Sequence, residues 1–178
     1  MMRRRLTLAA VVAVLALTAA ACVRVGGALY ANGRFPDSVL TAVTPQCRVV
    51  NELATPLRNL LDAAHADGVA LEPEESSYPL LFFQPQPPAI ESCYRSYAGQ
   101  VWWRNYYCSI GQCGLAAVPG TSRHGLGRAV DFQDQLGELT FTSPGYAWLT
   151  AHAAQYGFSH PAWAAQGQPD AEPWHWEG

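Results

Sequence analysis

Two short stretches carry side chains that together have the makings of a catalytic metal centre. The first is Thr121-Ser-Arg-His-Gly-Leu-Gly-Arg-Ala-Val-Asp131, which holds His124 and Asp131; the second is Glu172-Pro-Trp-His175 near the C-terminus. Two neutral imidazoles and one carboxylate form a ligand set suited to zinc, and they leave the fourth tetrahedral position open to water. Such an ion acts as a Lewis acid and lowers the pKa of its water from about 15.7 to about 7. Glu172 supplies what a purely structural site has no use for. It is a carboxylate able to serve as general base toward that water and then as general acid toward a leaving amine. Arg95 adds a rigid guanidinium fork suited to a carboxylate or a developing oxyanion.

These side chains need elements to aim them. The small and branched residues of Gly127 to Phe132 predict a short strand, with Ala129 and Asp131 on one face and Arg128, Val130 and Phe132 on the other. His124 lies in the glycine-flanked approach, where the chain can bend its ring back toward Asp131. His175 has to arrive from a neighbouring strand. Residues three apart on an ideal strand face opposite ways, so Glu172 and His175 need the kink that Pro173 provides. Arg128, opposite Asp131, reads as structural.

Ser122-x-His124-x-x-Gly127-x-Ala129-x-Asp131 followed by Glu172-x-x-His175 resembles the pattern of the VanY-type D-alanyl-D-alanine carboxypeptidases, zinc peptidases of the M15 group. Tyr94-Arg-Ser-Tyr-Ala-Gly-Gln100 and Tyr156-Gly-Phe158 extend the likeness, so it runs from about Cys47 to the end. The resemblance implies His124, Asp131 and His175 as ligands of one zinc ion and Glu172 as the catalytic acid–base. It implies contact of Arg95 with the scissile peptide or its terminal carboxylate, and places Gln100 and Ser122 near the substrate. It also implies a fold shared with the Hedgehog signalling domains. Cys93 departs from the pattern, standing where the family commonly has glycine before Tyr-Arg.

The chain of 178 residues is long enough for one domain with a sizeable core. Apolar residues make up 49% and charged residues 14%, which favours a folded domain over a disordered one. All eleven basic residues are arginine. Arg3, Arg4 and Arg5 precede an apolar run from Leu6 to Ala21 that ends in Ala19-Ala-Ala21, so residues 1–21 read as a signal peptide or signal anchor. Loss of those arginines takes the formal charge from −3 to −6, and an acidic domain argues against nucleic acid as a partner. Cys22 follows the small residues directly and is a candidate for lipidation. A cleaved leader, a lipid anchor and an uncleaved anchor all place the domain outside the cytoplasm. The remaining Cys47, Cys93, Cys108 and Cys113 form an even set suited to an oxidising compartment, with Cys108–Cys113 and Cys47–Cys93 the preferred pairing.

Residues 22–46 read as a linker, because Gly26-Gly27, Asn32-Gly33 and Pro36-Asp37 are turn signals rather than periodic structure. The catalytic domain then spans 47–178. Thr55-Pro56 predicts a helix start, with Leu57, Leu60, Leu61 and Ala64 on its inner face and Asp67-Gly68 at its close. His65 and His152 read as boundary residues of their helices, and His160 has no ligand position. Val69 to Leu71 is strand-like. Residues 72–90 hold five prolines and read as an insertion that packs on the domain or forms a lip over the cleft. Glu91 to Ser96 returns to the sheet. Tyr97 to Tyr107 is predicted helical with Val101, Trp102 and Tyr106 inward, and Ser143-Pro144 starts a last helix that Gly157 ends. Helices around a small, mainly antiparallel sheet make an α+β class.

The expected activity is hydrolysis of the peptidoglycan stem peptide outside the membrane, with release of the terminal D-alanine. An L,D-carboxypeptidase, a D,D-dipeptidase or a wall endopeptidase stays open within the group. From another class, a non-catalytic envelope-binding module with a structural zinc is the alternative. Glu172 and Arg95 argue against it.

Overall fold

A computed structural model describes residues 22–25, 27–74 and 91–178. The leader, and most of the proline-rich insertion with its apolar patch from Tyr78 to Phe83, lie outside the described residues.

The N-terminal segment is not a linker. Its residues form a hairpin of β1 (Cys22–Val25) and β2 (Ala28–Ala31) and a second hairpin of β3 (Leu40–Ala42) and β4 (Arg48–Val50), with Asn32-Gly33 and Pro36-Asp37 between the two. Val25, Phe35 and Leu40 reach the core. Strands this short show too few residues for their alternation to stand out beside the glycines and prolines that join them. Cys22 is a free thiol at the start of β1.

Helix α1 (Asn51–Ala66) starts a full turn before Thr55-Pro56, with Pro56 inside it. Its buried stripe explains why: Leu53 and Ala54 extend the spacing of Leu57, Leu60, Leu61 and Ala64 backwards. That apolar contact outweighs the one ladder bond that Pro56 cannot donate. The stripe packs on Val49 and Val50 of β4 and on the turn at residues 153–156.

The site is positioned by a four-stranded antiparallel sheet with β6 (Ala129–Asp134) at its centre. β5 (Glu72–Pro73), β7 (Gly137–Glu138) and β8 (His175–Glu177) all pair with β6. The strand expected at Val69 to Leu71 is therefore shifted, and Glu72 and Pro73 belong to the sheet instead of the insertion. Proline is tolerated there because the strand is only two residues long. Residues 91–96 are not a strand. They run beside β4 and β6 on single backbone bonds, Tyr94 N–H to Arg48 O at 2.7 Å and Asp131 N–H to Ser92 O at 2.8 Å.

Helix α2 (Tyr97–Ser109) buries only Gly99 and Gln100; Val101, Trp102 and Tyr106 are half-buried and lie outside the main core. Its aromatic residues stack on one another, Trp102 on Tyr106 at 5.5 Å and Trp103 on Tyr107 at 5.8 Å between centroids. Helix α3 (Pro144–His152) follows Ser143 and continues into a turn ended by Gly157 at φ 80°. Trp148 and Leu149 are buried, and His152 stacks on Trp148 at 4.7 Å. Among the described residues, three α-helices around small antiparallel sheets make the fold α+β, as the sequence predicts.

Candidate metal centre

His124 opens a single 3-10 turn, His124–Leu126, which Gly127 closes in the left-handed region at φ 64°. A side chain at Gly127 would be strained at that φ and would crowd Val50 at 3.2 Å. The turn leads straight into β6, where Asp131 stands directly across the antiparallel ladder from His175. Strand pairing thus brings together residues 44 positions apart.

His124 Nε2 lies 3.1 Å from His175 Nδ1 and 3.3 Å from Asp131 Oδ1, and His175 Nδ1 lies 3.1 Å from Asp131 Oδ1. A tetrahedral ion with ligands at about 2.0–2.1 Å has ligand–ligand edges of about 3.3 Å. The triangle therefore fits zinc. The other ring nitrogens are already committed: His124 Nδ1–H donates to Cys93 O at 2.9 Å, and His175 Nε2–H donates to Glu177 Oε1 at 3.3 Å. These bonds fix both tautomers with the remaining nitrogen aimed at the ion position. Glu177 is held in turn by Arg123 at 2.8 Å. Nothing in the sequence reading named Glu177, although the alternation of β8 places it on the face of His175.

The electrostatics favour the ligating forms of Asp131 and His124 and the protonated form of His175. Burial opposes the charge of Asp131, but His124 and His175 outweigh it and hold the carboxyl well below the usual range. Burial keeps His124 below its ordinary value, with Asp131 opposing and Arg95 reinforcing that shift, so its neutral form is favoured. For His175 burial also disfavours charge, yet hydrogen bonds to Asp131 and Glu177 and the nearby carboxylates raise its pKa to about 9.

Glu172 and Arg95 reach the same cleft, a space of about 500 Å³. Glu172 sits on the turn before β8, where its carbonyl accepts from His175 N–H at 3.2 Å, and its Oε2 lies 3.9 Å from His175 Nδ1. The protein's own groups push its pKa up to about 7, burial first and the charge of Asp131 second. His160, left without a role in the sequence reading, donates from Nε2 to the Glu172 carbonyl at 2.9 Å. Arg95 Nη2 is 3.5 Å from Asp131 Oδ2, and Arg95 Nε is buried with no hydrogen-bond partner among the described residues. An orphaned guanidinium N–H beside the ligand triangle is a donor left for an anionic group.

Ser122 lines the cleft, whereas Gln100 does not. Gln100 is buried, and both ends of its amide bond to protein groups, so the structure separates it from the substrate position that the resemblance implies. Two further carboxylates, Glu74 after β5 and Glu138 of β7, line the same cleft. Burial and the charges of Asp131 and Glu138 raise Glu74 to about 7. The cysteines close as Cys47–Cys93 and Cys108–Cys113.

The fold thus centres a His–Asp–His triangle able to hold a metal ion, a carboxylate and an arginine on one cleft. The chain belongs to the VanY family: the family model for D-alanyl-D-alanine carboxypeptidase matches residues 86–177. Among solved structures it is similar to VanYB in complex with D-alanine-D-alanine, at 25% identity over 78% of this chain and 75% of that one, TM-score 0.57. It is also similar to a VanY D,D-pentapeptidase from a VanB-type resistance cassette in complex with Zn(II), at 26% identity over 80% and 81%, TM-score 0.56. The LdcB LD-carboxypeptidase shares the fold at 23% identity over 82% and 70%, TM-score 0.58. No curated protein matches the chain.

Proposed function

We propose that this protein is an extracytoplasmic zinc peptidase that hydrolyses peptidoglycan stem peptides and releases their terminal D-alanine. The observation that carries the reading is the convergence of three ligand atoms, 3.1–3.3 Å apart, with Glu172 and Arg95 on one cleft. A binding module with a structural zinc needs neither of the last two.

His124 Nε2, Asp131 Oδ1 and His175 Nδ1 would hold the ion, which when bound supplies Lewis acidity and acidifies a water. Glu172 takes a proton from the attacking water and delivers it to the leaving amine. A carboxyl near neutrality suits both directions of transfer. His160 and the turn into β8 hold the Glu172 backbone on the ligand side of the cleft. Arg95 offers its orphaned Nε–H and its Nη2 to the terminal carboxylate or to the oxyanion as negative charge develops. Arg3 to Arg5 and the apolar run that follows support export, with Cys22 as the residue for a lipid anchor. Among the described residues no helix is long and apolar enough to cross a membrane.

The test is free D-alanine release from a muramyl pentapeptide by wild type, chelated protein and zinc-loaded Glu172→Ala. Release by wild type alone supports the reading. A zinc-loaded wild type that releases no D-alanine overturns the substrate; cleavage of cross-linked or tetrapeptide substrates instead identifies a wall endopeptidase or an L,D-carboxypeptidase.

A further inference from the structure

Asn32 and Gln100 are buried amides that the chemistry above does not use, and neither lines the cleft. Gln100 Nε2 donates to Asn32 Oδ1 at 3.0 Å and to Arg95 O at 3.2 Å, while Gln100 Oε1 accepts from Gly120 N–H at 2.8 Å. Asn32 Nδ2 donates to Ser122 O at 2.8 Å. A backbone N–H at one end and carbonyls at the other leave only one orientation of the two amides that satisfies every partner.

The groups they grip carry the site. Ser122 and Gly125 flank His124, and Arg95 N–H donates to His124 O at 3.0 Å. Gly33, next to Asn32, donates to Gly125 O at 2.7 Å and accepts from Tyr97 N–H at 2.8 Å. The turn at residues 32–33, the start of α2 and the His124 turn are therefore tied at one buried point. Packing there is tight: a Cβ on Gly125 would collide with Asn32 Oδ1 and Gln100 Nε2.

We propose that the Asn32–Gln100 pair is a clasp that sets His124 relative to Arg95, so that both amides are positioning residues of the metal centre. The inference rests on the reading of His124, Asp131 and His175 as zinc ligands. A loosened clasp frees the ligand turn to drift from Asp131 and His175, and with it the carbonyl that Arg95 N–H holds. Groups that orient metal ligands without touching the metal are commonly worth about 10–100-fold in affinity. This clasp acts through the backbone rather than through the ring, so the lower end applies.

Asn32→Asp and Gln100→Glu each exchange one amide nitrogen for oxygen and remove the donor with little change of shape. Zinc affinity is measured by competition with a chromophoric chelator, and ligand geometry by the visible d–d bands of the Co(II)-substituted protein. Each variant should bind zinc about tenfold more weakly, with altered Co(II) bands and, on an active substrate, a loss in kcat rather than KM. Ser143→Ala serves as a control, since Ser143 is buried at the start of α3 and its hydroxyl accepts from Thr140 N–H and bonds Thr140 Oγ1. It should lower the unfolding temperature and leave zinc affinity unchanged.

If the acidic variants do not fold, Asn32→Ala withdraws the donor without adding charge and is read in the same way. Wild-type affinity and bands in the folded variants would overturn the clasp alone, as would an equal loss of affinity in Ser143→Ala. A wild type that binds no zinc overturns the metal centre itself.

Discussion

Asp131 and His175 face each other across a backbone ladder, on strands whose residues are almost all buried. Trp103, Tyr107 and Leu115 line the same cleft from α2 and the loop after it, where only Gly99 and Gln100 of the helix are buried. That second wall is held by side chains: Arg104 Nη1 donates to the carbonyls of Cys113 and Ala116, each at 2.5 Å, and Cys108–Cys113 ties helix to loop. The difference teaches where precision is placed. Groups that must keep ligand spacing to a few tenths of an ångström sit on paired strands. Groups that only have to receive a substrate sit on an element whose shape is set by replaceable contacts.

The largest effect should come from the turn that leads into the ladder wall. Glu172→Gln, with zinc content unchanged, should lose about 10³-fold in kcat, within the usual range for a general acid–base. Leu115→Ala on the other wall should move KM by roughly threefold to tenfold and keep kcat. Steady-state kinetics on one stem peptide separates the two. A kcat effect for Leu115 as large as that for Glu172 would break the distinction.

The disulfides offer a second contrast. Cys47–Cys93 closes 46 residues and Cys108–Cys113 closes 5, so chain entropy assigns them about 4 and about 2 kcal/mol. Cys47→Ala/Cys93→Ala should therefore cost about twice as much in denaturant unfolding. It should also weaken zinc binding, because the Cys93 carbonyl accepts from His124. Cys108→Ala/Cys113→Ala should leave zinc affinity alone and alter KM. Equal zinc affinities in the two double variants would count against a special role for the Cys93 carbonyl.

Zinc uptake should also release protons with a definite sign. Although burial opposes it, the hydrogen bonds and carboxylates around His175 raise its pKa to about 9, so the imidazole carries a proton at pH 7 when no ion is bound. Coordination requires the neutral ring. Calorimetry in buffers of different ionisation enthalpy should find about one proton released at pH 7. The apparent affinity should rise with pH and level off above about 9.

What the sequence disclosed follows the same division. His124, Asp131, Glu172 and His175 were legible because a metal centre restricts residue types, and because the turn and strand that aim them are local. The antiparallel fold-back that sets Asp131 against His175 could be required, but its register could not be read, since alternation alone does not choose a partner. Asn32 went unnoticed because Asn-Gly is an ordinary turn signal, and its bond to Ser122 spans 90 residues. The helix start was misplaced because Thr55-Pro56 has the local form of a cap, while the packing that extends α1 to Asn51 is tertiary. The inward face of α2 was misassigned for a related reason. Its aromatics look like core residues by type, yet several of them meet each other and the cleft.

Glu74 lies where β5 delivers the chain to the cleft, and it tests whether the ladder wall also carries charge that serves no ligand. Burial first, and then the charges of Asp131 and Glu138, raise its pKa from 4.5 to about 7, so folding favours the protonated form. The favourable contribution is full below about 4.5 and is lost as pH rises through about 7. Above that, the folded protein holds a carboxylate near Asp131 and Glu138 that the unfolded chain would leave in water. Glu74→Gln removes the charge and keeps the shape. In chelator-treated protein it should stabilise by about 1–2 kcal/mol at pH 8 and by close to nothing at pH 4. Thermal unfolding across that range reads the difference directly. Because Glu74 is no part of the ligand triangle, zinc affinity should change much less than in Asn32→Asp. A large change there would make Glu74 part of the metal centre, and the ladder wall would then extend to β5.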